Sequence, residues 1–122
     1  MKVFVTAQAH RDIAAVKAYV AKNNPAAAKR IAGNLYDEAC KLVKDPLKGV
    51  SLSAKFGIQT DLRMWIVSPN LLLYKLLGER IIVTRVMGEQ TDYLAALGLA
   101  ERKTEDTEDE STAPFDKKVK LV

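Results

Sequence analysis

The feature that most restricts the fold of this chain is a strongly apolar stretch at residues 71 to 86, LLLYKLLGERIIVTRV. Its two halves flank Gly78-Glu79, a pair that suits a two-residue hairpin turn with glycine at the first, positive-φ position. If Leu77 pairs with Arg80, the alternation of side chains predicts two faces that are both largely apolar. One face carries Leu72, Tyr74, Leu76, Ile81, Val83 and Arg85, and the other carries Leu71, Leu73, Lys75, Ile82, Thr84 and Val86. Antiparallel hairpins usually bury one face and expose the other to solvent. What packs against the second apolar face therefore needs an explanation.

The composition is that of one folded domain. The chain has 122 residues, of which 48% are hydrophobic and 28% charged, which is enough for a core and too apolar for disorder. No apolar run approaches the roughly 18 residues of a membrane span, and MKVFVTAQAH lacks the features of a signal peptide. We therefore expect a cytoplasmic protein without membrane contact, metal or cofactor. The single cysteine, Cys40, has no intrachain thiol partner, and its helical context predicts a small buried side chain.

Charge is distributed unevenly along the chain. Residues 1 to 99 contain 14 basic and 8 acidic residues, whereas residues 100 to 122 contain 5 basic and 7 acidic residues. A basic body with an acidic extension is compatible with nucleic acid, with a partner that handles nucleic acid, with an acidic inhibitor, or simply with a well-solvated surface. Charge alone does not choose among these possibilities.

The N-terminal half predicts a strand followed by a helical hairpin. Residues 2 to 6 alternate like a strand, and the apolar spacing of residues 8 to 22 marks one face of a helix. Asn24 and Pro25 suit the N-cap and the first turn of a second helix, which runs to about residue 44. A turn this short predicts antiparallel neighbouring helices. Gly33, inside the second helix, predicts close helix contact.

The C-terminal half predicts an antiparallel meander. A loop covers residues 47 to 53, SAKFG at residues 53 to 57 is a weak strand candidate, and DLRMWIV at residues 61 to 67 is a good one. A turn at residues 68 to 70 leads into the hairpin, and a short closing helix follows with Leu94 and Leu97 facing inward. The predicted class is α+β: an N-terminal strand and a helical hairpin packed on a three- to four-stranded antiparallel sheet, with a short C-terminal helix.

The composition changes beyond residue 99. TEDTEDEST, residues 104 to 112, has five acidic residues and no basic or apolar one, which predicts a disordered linker. We therefore divide the chain into a domain at residues 1 to 99 and an acidic tail at residues 100 to 122. The final PFDKKVKLV either hangs free or adds a strand to a sheet edge while the acids screen the basic body. Because two helices cover only one face of a sheet, the second face needs the closing helix, the tail, another copy of the chain or a different protein.

Several short motifs occur in a characteristic order. They are A-x-x-D-I at residues 9 to 13, AYVAKNNPAAA at 18 to 28, DPLKG at 45 to 49, Leu62-Arg63, LLYK at 72 to 75, and IIVTRV at 81 to 86 followed by Asp92-Tyr93. Together they resemble the RelE/ParE superfamily of toxins from bacterial type II toxin-antitoxin systems. The resemblance covers about residues 2 to 97, and the NP-x-A-A helix turn is most similar to the ParE branch.

The resemblance implies a protein that inhibits growth until a cognate antitoxin wraps it. In such families the C-terminal segment of the antitoxin covers apolar and basic groups of the toxin, which would account for the second face of the hairpin. The closing helix and the tail are the alternative cover. The residues expected to bind the antitoxin are Leu72, Tyr74, Leu76, Ile81, Val83 and Leu94, with Tyr74 alternatively a core residue. Any oligomer is expected to form through the antitoxin.

The two branches of the superfamily act differently. The resemblance to RelE-like members implies a ribosome-dependent messenger RNA endoribonuclease, and the resemblance to ParE-like members implies a poison of DNA gyrase. Cleavage requires a proton acceptor and a fixed cation near the scissile phosphate. By the resemblance, Leu71 stands where RNA-cleaving members carry an arginine, and Thr91 stands where many members have an arginine before an acid. The only histidine, His10, lies far from the expected site. We therefore favour a gyrase poison without catalytic residues, and keep open an endoribonuclease or a degenerate member that only binds a partner.

Four residues are candidates for binding the target. Arg63, Lys75 and Arg85 are strand cations, and cations without an acceptor bind phosphate more readily than they cut it. Arg85 either pairs with an acid such as Asp61 or Asp92, or points at a partner. Tyr93, the fourth candidate, is alternatively a packed aromatic residue at the start of the closing helix.

Overall fold

A short strand and two adjacent helices form the N-terminal part of the chain. The computed structural model describes residues 1 to 98, in which strand β1 spans Lys2–Val5, helix α1 Ala7–Ala21 and helix α2 Pro25–Lys41. Both helices begin at a side-chain cap, because the Thr6 hydroxyl accepts from the Ala9 amide and the Asn24 carbonyl accepts from the Ala27 amide. A 3₁₀ turn at Leu42–Lys44 ends the second helix.

The remaining strands join β1 in one five-stranded sheet. Strands β2 (Val50–Ser51), β3 (Arg63–Val67), β4 (Asn70–Leu77) and β5 (Arg80–Gly88) are arranged in the order β1-β5-β4-β3-β2. All neighbours are antiparallel except β1, which pairs in parallel with β5. The predicted α+β class is confirmed. The sheet has five strands rather than three or four because β1 adds one edge, beside β5, and the two-residue β2 adds the other, beside β3.

Helix α3 (Leu52–Phe56) occupies a segment for which the sequence predicted a loop and a weak strand. That prediction was wrong because two local capping signals stabilise a helical turn. The Ser51 hydroxyl accepts from the Ala54 amide at 3.2 Å, and Gly57 ends the helix at a left-handed φ of 67°.

The hairpin formed by β4 and β5 has the predicted turn. Leu77 pairs with Arg80, and Gly78 has a φ of 60°. The predicted faces hold as far as Val83. A register shift opposite Leu73 and Tyr74 then leaves Thr84 without a partner on β4, so Val86 moves to the face that carries Ile81. The prediction that placed Val86 on the other face was therefore wrong.

The core lies between the helices and one face of the sheet. Helix α1 contributes Ala9 and Ile13, while Leu35 and Ala39 of α2 pack beside them. The sheet side of this core consists of Leu72, Tyr74, Ile81, Val83 and Val86, with Val3, Val5, Trp65, Val67 and Leu76 around it. This arrangement confirms that the helical hairpin covers one face only.

The opposite face of the sheet is buried at its centre and exposed towards its edges. Met64, Leu71, Leu73 and Met87 are each less than 9% exposed. Phe4 and Ile66 share that face by strand register and are 46% and 49% exposed. The centre of this second face therefore offers no apolar surface to a partner, whereas its margins do.

The described residues fall into two units, Met1–Gln90 and a second unit that begins at Thr91. In the second unit, helix α4 spans Tyr93–Ala96, and its N-cap Asp92 accepts a hydrogen bond from the Ala95 amide at 3.2 Å. The predicted boundary after residue 99 and the predicted acidic tail lie outside the described residues and stay predictions. No helix among residues 1 to 98 is long and apolar enough to cross a membrane.

Two predictions about helix α2 were wrong. Cys40 is exposed rather than buried, because the buried stripe of this helix runs through Leu35 and Ala39. Gly33 does not mark a close helix contact, since a Cβ built on it would meet no atom within 4 Å.

Candidate functional site

The DPLKG loop at residues 45 to 49 is held in place by the hydroxyl group of Tyr74. This hydroxyl donates to the Pro46 carbonyl at 2.7 Å and accepts from the Gly49 amide at 3.0 Å. A Cβ on Gly49 would lie 2.5 Å from the same hydroxyl oxygen, so the loop can approach Tyr74 this closely only with glycine there. The loop is thereby fixed at both ends.

Arg63 of β3 holds the same loop. Its Nε donates to the Gly49 carbonyl at 3.1 Å, and one terminal nitrogen donates to the Leu47 carbonyl at 3.0 Å. The fixed loop nevertheless leaves the side chain of Leu47 62% exposed. Arg63, predicted to bind the target, therefore positions a loop whose apolar tip faces solvent.

Trp65 connects the loop to helix α2. Its indole N–H donates to the Glu38 carboxylate at 3.0 Å, and the Lys48 Nζ lies 4.2 Å from the ring centroid. The indole hydrogen bond is the main cause of a lowered Glu38 pKa, which the hydrogen bond from Lys41 lowers further and burial opposes. The ionised carboxylate thus completes a set of contacts that makes the loop a preorganised surface.

Arg85 is paired with Asp12 of helix α1. Its Nε donates to one carboxylate oxygen at 2.8 Å, its terminal nitrogen donates to the other at 3.3 Å, and the first oxygen also accepts from the Val86 amide at 2.9 Å. Arg85 therefore has neither of the expected partners, Asp61 or Asp92. Sequence reasoning missed Asp12, although its place beside the buried Ile13 was a signal that this carboxylate needs a partner.

The pKa of Asp12 reflects competing effects. Burial raises it, but the hydrogen bonds from Arg85, from the Val86 amide and from Gln8, together with the charge of Arg85, outweigh burial and lower it. The carboxylate therefore remains ionised at neutral pH. Through its bond to the Val86 amide, the Asp12 carboxylate joins helix α1 to the last part of β5, which β1 does not reach because it ends at Val5.

The four residues predicted to bind the target do not form one cluster. Arg63 donates a hydrogen bond to the DPLKG loop, and Arg85 donates one to Asp12. Lys75 pairs with Ile82 across the hairpin, on the face opposite Tyr74, and is half-buried without an ion pair among residues 1 to 98. Tyr93 belongs to the second unit, where it begins α4.

Most residues predicted to bind the antitoxin lie in the core. Leu72, Tyr74, Ile81 and Val83 are fully buried beneath the helices. Their assignment to a docking surface is corrected, because both hairpin faces are apolar and the helices cover the one that was expected to stay open. Leu76 and Leu94 are half-buried.

Two further observations bear on catalysis. His10 Nδ1 lies 2.6 Å from the Tyr36 hydroxyl, on the exposed side of the helical hairpin. Within residues 1 to 98, no group of three His, Cys, Asp or Glu side chains could hold a metal ion.

Comparison with known proteins identifies a family. The model of the family described as the ParE toxin of the type II toxin-antitoxin system parDE matches residues 3–93. A solved structure of the chromosomal ParDE TA system from P. aeruginosa aligns with a TM-score of 0.62 and 15% identity, covering 72% of this chain and 95% of that chain. At this identity the structural likeness shows a shared fold. Among curated proteins, none matches this chain.

Proposed function

This chain belongs to the ParE toxin family of type II toxin-antitoxin systems, and we propose that it inhibits growth by poisoning DNA gyrase until a cognate antitoxin neutralises it. The observation that carries the proposal is the family match, which spans residues 3–93 and therefore nearly all of the described chain. A protein acting on gyrase would work in the cytoplasm.

The internal contacts of the two strand arginines favour a binding protein over a nuclease. A nuclease would need a proton acceptor and a cation directed at one phosphate. Here the guanidinium groups of Arg63 and Arg85 are directed at the chain's own carbonyl and carboxylate oxygens. Their role in target binding would then be indirect, through the loop and the strand end that they hold.

Lys75 is a candidate contact with the target. Its ammonium group has no ion pair among residues 1 to 98, and strand β4 holds it on the margin of the sheet's second face. A lysine in this position can approach a phosphate or a carboxylate without breaking an ion pair within residues 1 to 98. We include Lys75 in the proposed gyrase-binding surface, and keep Tyr93, which belongs to the other unit, as a separate candidate for target binding.

Purified protein mixed with gyrase and supercoiled DNA tests the proposal. We expect linear DNA to accumulate after protein denaturation, since a poison traps the enzyme with its DNA cut. Ribosome-dependent cutting of a transcript, with no linear DNA, would instead favour the RelE-type endoribonuclease. The absence of both activities would favour a family member that only binds a partner.

The antitoxin part of the proposal needs a separate test. The candidate is the product of a short reading frame beside this one, and it should form a stable complex with the full chain. Adding it to the gyrase reaction should abolish the linear product. A neighbouring protein that leaves gyrase trapping unchanged at saturating concentration would contradict neutralisation by direct binding.

A further inference from the structure

A cavity opens beside the turn of the β4–β5 hairpin, on the face of the sheet that points away from the helices. Its volume is about 670 Å³, within the roughly 300 to 1,000 Å³ that ligand clefts commonly have. Its walls are formed by Met1, Lys2, Phe4, Glu79 and Arg80. None of these residues is among the target or antitoxin contacts predicted from the sequence.

Strand register extends this cavity into a patch that crosses three strands. Two rows of paired residues run across β1, β5 and β4: Phe4–Ile82–Lys75 and, nearer the turn, Lys2–Arg80–Leu77. Directly paired residues point to the same side of a sheet, and neighbouring strands lie about 4.8 Å apart. These six residues, which we call the turn patch, therefore place three cations beside one aromatic and two aliphatic side chains.

Phe4 gives the turn patch a flat apolar surface in contact with solvent. Its side chain is 46% exposed, and that of Leu77 is 54% exposed. The guanidinium carbon of Arg80 lies 5.8 Å from the ring centroid of Phe4. Exposed aromatic rings on sheets, with arginine beside them, are surfaces on which unpaired bases of nucleic acids stack.

The cations of the turn patch are not neutralised within the described chain. Neither of the ion pairs within residues 1 to 98 involves Lys2, Lys75 or Arg80. Glu79, exposed at the turn, is the acidic residue of the cavity wall. Three positive charges against one negative charge attract an anionic ligand.

The combination of ring and charge distinguishes between kinds of anionic ligand. An acidic peptide would satisfy the cations but would bring no flat group to the ring of Phe4. The bases of a duplex are stacked on one another and are not free to stack on a protein ring. A single strand supplies both an unpaired base and the phosphates next to it.

We propose that the turn patch binds single-stranded nucleic acid. One base stacks on Phe4 beside Arg80, and the phosphates next to that base lie against Lys2 and Lys75. Glu79 weakens the binding by repelling the nearest phosphate. The shared chemistry, an unpaired base next to a phosphate, occurs in DNA and in RNA. This binding goes beyond the proposed action on gyrase and requires no gyrase.

Fluorescence anisotropy with the full chain and labelled oligonucleotides tests the proposal. Oligothymidylate and oligouridylate of about 12 nucleotides are the two probes, and the tighter one identifies DNA or RNA as the preferred source. A duplex of the same length and polyglutamate should bind at least ten-fold more weakly than the better probe. Equal binding of either competitor would overturn the proposal, because charge alone would then explain the affinity.

Variants of Phe4 test the stacking contact. Phe4→Leu should weaken binding of the better probe about ten-fold, whereas Phe4→Tyr keeps the ring and should bind like the wild type. The matched control is Tyr19→Leu, since Tyr19 is an exposed aromatic residue of α1 with Lys22 Nζ 5.7 Å from its ring centroid. Equal affinity of Phe4→Leu and the wild type would overturn the stacking contact, as would an equal loss with Phe4→Tyr.

Variants of the charged residues test the phosphate contacts through the salt dependence of binding. Lys2→Gln and Arg80→Gln should each reduce the slope of log affinity against log salt concentration by about 0.7. Glu79→Gln should bind several-fold more tightly, and the control Lys22→Gln should change neither affinity nor slope. Unchanged slopes for both cation variants would overturn the proposal.

The outcomes are separate from those of the gyrase experiment. Loss of oligonucleotide binding in Phe4→Leu with full gyrase trapping would assign the turn patch a role of its own. A wild-type chain that traps gyrase but binds neither oligonucleotide would overturn this inference and leave the proposed function in place.

Discussion

Asp12 shows how one carboxylate can replace a missing stretch of strand. Strand β1 ends at Val5, and the Val86 amide of β5 would lack an acceptor if Asp12 did not supply an oxygen at 2.9 Å. The same carboxylate neutralises Arg85. Helix α1 and strand β5 are thus joined by one charged group that accepts hydrogen bonds from both a backbone and a side chain.

The first prediction concerns the pH dependence of this contact. The pKa of Asp12 is lower in the folded chain than its ordinary value of 3.8, so its contribution to stability is complete above that value and is lost as the pH falls through the folded pKa. Asp12→Asn should cost about 1.5 to 3 kcal/mol near pH 7, and the difference from the wild type should shrink below about pH 4.

Urea unfolding at pH 7, 5, 4 and 3 measures that difference. Asp37→Asn is the matched control, because Asp37 is an exposed acid on helix α2. The control should change the free energy of unfolding by less than about 0.5 kcal/mol. A penalty for Asp12→Asn that stays constant down to pH 3 would show that the charge is not what stabilises the fold.

The second prediction compares two glycines with opposite surroundings. Gly49→Ala places a methyl group 2.5 Å from the Tyr74 hydroxyl oxygen and should cost about 1 to 3 kcal/mol. Gly33→Ala meets no atom within 4 Å inside helix α2 and should stabilise the chain by about 0.5 to 1 kcal/mol. Thermal and urea unfolding of the two variants measure both effects.

A double mutant identifies the cause of the Gly49 effect. In a Tyr74→Phe background the hydroxyl is gone, so the added cost of Gly49→Ala should be smaller than in the wild type. Equal costs in both backgrounds would mean that the loop backbone, rather than the tyrosine, rejects the methyl group.

At the scale of elements, strand β4 presents different chemistry on its two sides. Tyr74 points into the core and fixes the DPLKG loop, while the next residue, Lys75, lies on the other face. This alternation follows from the two-residue period of a strand. One strand can therefore stabilise the fold with one side chain and offer a charge to a target with its neighbour.

The third prediction follows from that separation. Lys75→Ala should reduce the linear DNA formed with gyrase at least ten-fold, while changing the free energy of unfolding by less than about 1 kcal/mol. Arg63→Ala and Arg85→Ala should lower activity only together with stability, because both side chains hold parts of the fold.

Gyrase trapping and urea unfolding are measured on the same preparations. Lys17→Ala is the charge-matched control, since Lys17 lies on helix α1 rather than on the sheet. Full trapping by Lys75→Ala would remove Lys75 from the proposed target surface.

At the scale of the whole molecule, the family match ends at residue 93, well before the acidic stretch at residues 104 to 112. The fourth prediction is that deletion of residues 101 to 122 leaves growth arrest on induction unchanged, because the proposed target surface lies in the part that matches the family. Growth curves of cells expressing either form at equal protein level measure this. Stronger arrest by the shorter chain would show instead that the tail restrains the toxin.

Local chemistry made much of the fold predictable. Asn24 and Pro25 determine where α2 begins, Gly78 determines the hairpin turn, and the two-residue period of β4 and β5 determines which side chains share a face. Each of these signals acts over a few neighbouring residues, so each could be recognised in the sequence. The short helix α3 carried equally local signals in Ser51 and Gly57, and these were overlooked.

The candidate sites were less predictable because they depend on contacts between distant parts of the chain. Asp12 and Arg85 are 73 residues apart, and Tyr74 holds a loop 28 residues before it. The register shift at Thr84 moved Val86 to the core, which alternation alone does not indicate. Two of the three strand cations that were predicted to bind the target, Arg63 and Arg85, therefore form hydrogen bonds within the chain instead.

The sequence by itself determined the N-terminal strand and helical hairpin, the start of α2 at Asn24 and Pro25, the turn between β4 and β5 and the family resemblance, since all of these depend on short-range patterns of residues. Only the tertiary structure decided which face of the hairpin lies under the helices, because both faces are nearly equally apolar and burial energy alone does not distinguish them. That choice placed Leu72, Tyr74, Ile81 and Val83 in the core. It also left Phe4 on the opposite face beside Lys2 and Arg80, where no sequence pattern had indicated a site.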